Sequence, residues 1–154
     1  MFSIRRATTE DVEEIVKLRV AFLREVQPET SKSDDVILEL TRRYVTDKLP
    51  TDEYLVWLAE VEEHIVGISS LVFYHRPPTL LNMSSQYAHI LNVYTLPEWR
   101  RRGIATALLH EIIKYAKTSS IKRISLNASD MGRSVYEKLE FEPCEDEMTL
   151  KLSE

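Results

Sequence analysis

A chain of 154 residues is the length of one domain, and 44% apolar with 29% charged residues is enough to build a core and too apolar for a disordered tail. No apolar run approaches the ~20 residues of a membrane helix, and the N-terminus MFSIRRATTEDVEE has no signal-peptide core. The net charge of −5 argues against a general nucleic-acid binder, and the lone Cys144 excludes an internal disulfide framework or a multi-cysteine zinc site, so a single cytoplasmic domain over residues 1–154 is expected, without metal, membrane or nucleic acid.

Phe2 to Ala7, FSIRRA, reads as a short strand. Thr8-Thr9-Glu10-Asp11 then supplies capping residues and early acidic charge for a helix, and apolar residues recur at helical spacing from Val12 to Val26. Pro28 breaks it. A second helix starts near Ser33-Asp34-Asp35 and runs to Leu49, where Pro50 stops it. Glu53–Val61 and Ile65–Tyr74 are strands joined by a turn at Glu62-Glu63-His64, an antiparallel hairpin. A loop leads to a third central strand, Tyr87–Leu96. Pro97-Glu98-Trp99 turns the chain into a helix from Gly103, with Ile104, Ala107, Leu108, Ile112 and Tyr115 on one face. Lys122–Ala128 reads as a strand, Met131–Leu139 as a short helix, and Phe141–Leu152 as one or two terminal strands, of which MTLKL alternates cleanly. Interspersed helices with hairpin-like middle strands predict an α+β fold, a mixed and mostly antiparallel central sheet with helices on both faces.

The stretch LNVYTLPEWRRRGIAT, Leu91–Thr106, is electrostatically unusual. A helix N-terminus carries about +0.5 charge and unpaired N–H groups, yet Arg100, Arg101 and Arg102 crowd it and no Ser, Thr or Asp caps it. A bound polyanion would resolve the conflict, with Gly103 admitting it close to the backbone and Ala105 adding no bulk. There is no GxxxxGK[ST], GxGxxG, GxSxG or HExxH.

In its context, Arg100-x-x-Gly103-x-Ala105 after LNVYT resembles the acetyl-CoA motif [RQ]-x-x-G-x-[GA] of the Gcn5-related N-acetyltransferase (GNAT) superfamily. The later LNAS and GRSVYEKLEF resemble its second motif, and IRRATTEDVEEIVKLR its first strand and helix. Two departures stand out. Glu140 replaces a Gly that favours a left-handed helix cap, at a cost of roughly 1 kcal/mol, and Ser129 stands where the family often has Asn, with Asn127 nearby.

The resemblance implies a GNAT-like sheet with splayed central strands and acetyl-CoA as co-substrate. Val93, Tyr94 and Thr95 would pair with the pantetheine amides. The N–H groups of Arg101, Arg102, Gly103, Ile104, Ala105 and Thr106 would hold the diphosphate, with arginine side chains, Arg100 included, adding charge. Asn127 and Ser129 would line the other side of the splay. Tyr136 would be the general acid that protonates the departing thiolate as a neutral amine attacks directly. The amine must first lose a proton, for which His89 and Glu60 are candidate bases, and Glu25 is placed to attract a cationic amine. The acceptor would be a small-molecule or peptide amine, and a homodimer, common in the family, stays open. Two other readings remain: an acyl-CoA-binding sensor or interaction module without turnover, and a structural domain without ligand.

Overall fold

The structure, a computed structural model, describes residues 1–144 and 146–153. Strand β1 (Ser3–Arg6) leads through a 3-10 turn, Thr9–Asp11, into α1 (Val12–Val26). The turn is held by a reciprocal cap: Thr8 Oγ1 accepts from the Glu10 N–H at 3.3 Å, and the Asp11 carboxylate accepts from the Thr8 N–H at 2.7 Å. Helix α2 (Asp34–Lys48) is capped by Ser33, whose Oγ accepts from the Asp35 N–H. Strands β2 (Tyr54–Val61), β3 (His64–His75) and β4 (Gln86–Thr95) follow, then α3 (Ile104–Lys117), β5 (Ile124–Leu126) and α4 (Arg133–Lys138).

The strands form one sheet in the order β1-β2-β3-β4-β5. The first four are antiparallel to their neighbours, and β5 lies parallel to β4. Helices α1 and α2 cover one face, burying Ile15, Val16, Leu18 and Val45 against Val56, Leu58 and Ile68. Helix α3 covers the other, burying Ile104, Leu108, Leu109 and Ile112 against Leu55, Leu71 and Ile90. Each such side chain removed from water stabilises the fold by about 1.5–3 kcal/mol. This is the mixed α+β architecture that the sequence pattern predicts.

Two local features depart from expectation. The β2–β3 turn places both Glu62 and Glu63 at positive φ, +48° and +67°, the type I′ geometry that normally selects Asn and Gly. The strand expected over 122–128 shrinks to Ile124–Leu126, and no strand forms among the described residues of 141–152. Glu145, inside that stretch, lies outside the described residues, as does Glu154 at the end of the expected domain span. Met148, Leu150 and Leu152 are 81% to 93% exposed: alternation supplies an apolar edge, but a strand is stabilised only when a neighbouring strand and a packed layer take it up.

Candidate active site

The site begins where β4 loses a neighbour. Strand β5 pairs with β4 only at Ala88, His89 and Ile90, so Leu91–Thr95 has no strand on that side. Just there, β4 also bulges. Ile68 pairs with Tyr94 and Ser70 with Leu91, so Asn92 and Val93 together face Ser69. Asn92 adopts φ +59°, a conformation Asn tolerates better than most side chains. Its side chain is 1% exposed, and both polar atoms, like Ser69 Oγ, lack a partner among the described residues.

After β4 the chain makes a 3-10 turn over Pro97–Trp99 and passes through Arg101 at φ +62° and Gly103 at φ +80° into α3. The first N–H past Arg100 to donate internally is that of Ala107, to the Gly103 carbonyl at 3.0 Å. Among the described residues, the six N–H groups of residues 101–106 therefore have no internal acceptor, and no side chain caps the helix. A Cβ built on Gly103 meets no protein atom within 4 Å; it would enter the open space these donors face. Gly67 fixes the depth of the helix, since a Cβ there would lie 2.8 Å from Ile104 Cγ2. The segment thus fits a diphosphate by its own geometry: a positive helix end, six donors, and room at Gly103.

The three arginines part ways. Arg100 turns inward: its Nε donates to the Thr95 carbonyl at 2.9 Å and its Nη2 to Glu25 Oε2 at 2.8 Å. The Glu25 carboxylate raises its pKa above the ordinary guanidinium value. Arg102 lies over the Trp99 ring at 4.6 Å and donates to the Glu98 carbonyl. Arg101 makes no side-chain contact of this kind among the described residues and lines the cavity.

That cavity measures about 790 Å³ and runs from the last turn of α1 past the open side of β4 to α4. All the residues predicted from the sequence for coenzyme binding and for the general acid line it except Arg102 and Asn127. Asn127 instead borders a smaller space of about 390 Å³ between β5, α4 and Pro143. Tyr136 lines both. Its ring is 8% exposed and meets Phe141 edge-on at 6.1 Å, and burial raises its phenol pKa, which keeps the proton on at neutral pH. Gly132 gives the ring its place, because a Cβ there would stand 2.9 Å from Tyr136 Cε2 and 3.1 Å from its Oη. Ser129 borders the large cavity and also holds the turn before α4, its Oγ accepting from the Gly132 N–H at 3.1 Å.

Neither candidate base lines the cavity. Glu60 accepts from Arg5 Nε at 2.6 Å at the far edge of the sheet. His89 sits on the paired part of β4 with Nδ1 2.8 Å from Ser125 Oγ, its pKa lowered by burial. Among the described residues, Glu25 is the one carboxylate on the cavity wall. Sequence reasoning missed the bulge at Asn92, for which Asn was a faint signal, and the ring seat at Gly132. Among the described residues, no group of three or more His, Cys, Asp or Glu could hold a metal ion, and no helix is long and apolar enough to cross a membrane.

Comparisons with known proteins agree with this geometry. A predicted acetyltransferase from Clostridium acetobutylicum, solved with acetyl-CoA, superimposes with a TM-score of 0.90 at 32% identity, over 99% of this chain and 97% of that one. A GCN5-related N-acetyltransferase from Ralstonia eutropha JMP134 has the same fold, with a TM-score of 0.85 at 22% identity over 99% of both chains. So does a ribosomal-protein-alanine N-acetyltransferase from Brucella melitensis, at 0.73 and 18% over 99% of this chain and 100% of that one. No curated protein matches the sequence. The profile of the Acetyltransferase (GNAT) family matches residues 13–141, a span from α1 to the end of α4 that contains the cradle, the open strand and Tyr136. The chain belongs to the GNAT acetyltransferase family.

Proposed function

We propose that the chain is an acetyl-CoA-dependent N-acetyltransferase, one catalytic domain over residues 1–154, that acts on a primary amine by direct attack. One observation carries the reading: six consecutive N–H donors without acceptors among the described residues, at 101–106, open onto the same cavity as the unpaired side of β4 and the Tyr136 ring. Acetyl-CoA supplies the acetyl group as a thioester. The backbone of Val93, Tyr94 and Thr95 binds and aligns the pantetheine arm as an added strand would. An N–H of the same segment stabilises the charge that develops on the carbonyl oxygen. The donors of 101–106 hold the diphosphate, and the Arg101 guanidinium adds charge. Tyr136 Oη donates its proton to the departing sulfur. Glu25 is paired with Arg100 and no other carboxylate among the described residues lines the cavity, so the amine gives its proton to solvent.

The test is a thiol-release screen with acetyl-CoA and longer acyl-CoAs against amines of graded size. Release matched by acetylated amine is expected. Ligand at 100 times its Kd adds about 2.7 kcal/mol to stability, so CoA should raise the melting temperature by about 5–10 °C. A thermal shift with no release from any amine would leave a CoA-binding module in place of the enzyme. No shift at all would remove the coenzyme site.

A further inference from the structure

The Arg100 guanidinium joins three walls of the cavity. Nε holds the carbonyl of Thr95 at the end of β4, Nη2 holds Glu25 in the last turn of α1, and Nη1 lies 4.0 Å from Met131 Sδ in the segment before α4. Its plane also covers the Tyr94 ring at 5.5 Å, and the same ring meets Phe22 of α1 edge-on at 6.2 Å. The next residue, Arg101, is the first of the left-handed pair that shapes the cradle. Both side chains of the ion pair are partly shielded, 26% and 35% exposed. An arginine fork held at two ends is fixed in direction as well as place.

We propose that Glu25 is a positioning residue for coenzyme binding: it clamps Arg100 across the cavity and thereby holds the β4 end and the cradle at 101–106 in binding geometry. The inference rests on the coenzyme reading of the cavity, and it makes a prediction of unexpected sign. Coulomb's law alone says that removing an acid beside a polyanion site tightens binding. Clamping says the opposite, because a released guanidinium no longer secures Thr95, and the cradle must then be ordered at the expense of affinity.

Two substitutions separate charge from reach. Glu25→Gln removes the charge. Glu25→Asp keeps it but shortens the side chain by one methylene, too short for the 2.8 Å contact. Calorimetric titration with CoA at 0.15 M salt is expected to give a Kd about three- to tenfold weaker for both. KM for acetyl-CoA rises in parallel while kcat at saturation stays within about twofold. Arg100→Lys is expected to show the same loss, and the Glu25→Gln/Arg100→Lys double variant no more than Arg100→Lys alone. CoA binding by Glu25→Gln equal to or tighter than wild type overturns the proposal, and so does wild-type affinity in Glu25→Asp. Losses that merely track falling melting temperature across the set overturn it too. A wild-type protein that binds no CoA removes the coenzyme reading itself; a wild type that binds beside an unaffected Glu25→Gln removes only the clamp.

Discussion

Replacing Tyr136 with Phe isolates a single oxygen. The ring contacts survive, since Phe presents the same edge to Phe141 and needs the same space above Gly132. The lost hydroxyl has no hydrogen bond among the described residues, burial being the sole cause of its raised pKa, so stability should change by less than about 0.5 kcal/mol. The catalytic loss can be bounded. A free phenol near pKa 10 is a weaker acid than a thiol near 8.5, and burial raises it further. Handing its proton to a fully formed thiolate is therefore uphill by at least about 2 kcal/mol. On the proposed mechanism Tyr136 acts as a hydrogen-bond donor whose proton crosses late, and its contribution belongs at the low end of the general-acid range, about 100-fold or about 2.7 kcal/mol. Thiol release with a competent amine should show kcat lower by about that factor, and calorimetry an unchanged Kd for CoA. Wild-type kcat should also fall at alkaline pH as the raised phenol ionises, a limb absent from the variant. A kcat within about threefold of wild type, or the same alkaline limb in both, would refute the assignment.

Three further outcomes follow from geometry already described. Gly103→Glu puts a carboxylate among the six donors, in space no protein atom fills, so CoA affinity by calorimetry should fall at least about 100-fold; unchanged affinity would place the diphosphate elsewhere. Glu140 sits at φ +69° in a Schellman cap, with the Phe141 N–H donating to the Tyr136 carbonyl and the Glu140 N–H to that of Glu137, both at 3.0 Å. Glu140→Gly should therefore gain about 0.5–1 kcal/mol, a rise of about 1–4 °C in melting temperature, and a lower melting temperature would contradict it. The Asp11 carboxyl is held below its ordinary pKa, first by the Arg5 guanidinium. Its contribution is present above about pH 3.9 and lost as pH falls through the depressed folded value. Asp11→Asn should be less stable than wild type to urea at pH 7, and the gap should shrink as the pH is taken below about 3.9. A gap that persists in acid would mean that packing, not charge, accounts for it.

The sheet and its helices were legible because each periodic segment faces one packed layer: Ile15, Val16 and Leu18 mark one face of α1, and Ile104, Leu108 and Ile112 one face of α3. The cradle was legible because a helix start crowded with arginines and lacking a cap is chemically incomplete. What each arginine does was not. Position along the chain places Arg100, Arg101 and Arg102 together, but only the fold brings Glu25 of α1 to Arg100, while Arg102 stacks on Trp99 three residues before it and Arg101 is left facing the cavity. The C-terminal alternation misled for a related reason. Period two states which side of a strand would be apolar, not whether another strand lies alongside to accept it. The break in pairing beyond Ile90 likewise depends on where β5 ends, which no local pattern around Val93 encodes.

The six amides at 101–106 that lack acceptors among the described residues have, as the proposed anion cradle, a consequence for how such a chain tolerates sequence drift. Main-chain amides belong to every residue type but proline, so an alanine scan through this segment would strip off charge and leave the donors untouched. Proline in the first turn of α3, where its fixed φ and missing N–H are tolerated, would delete a donor and should weaken CoA binding where alanine does little, whereas the positive φ of Arg101 and Gly103 excludes it there. The residues under tightest constraint would then be those that set the path of the chain, such as Gly103 and Gly67, and the side chains around them would be at liberty to diverge.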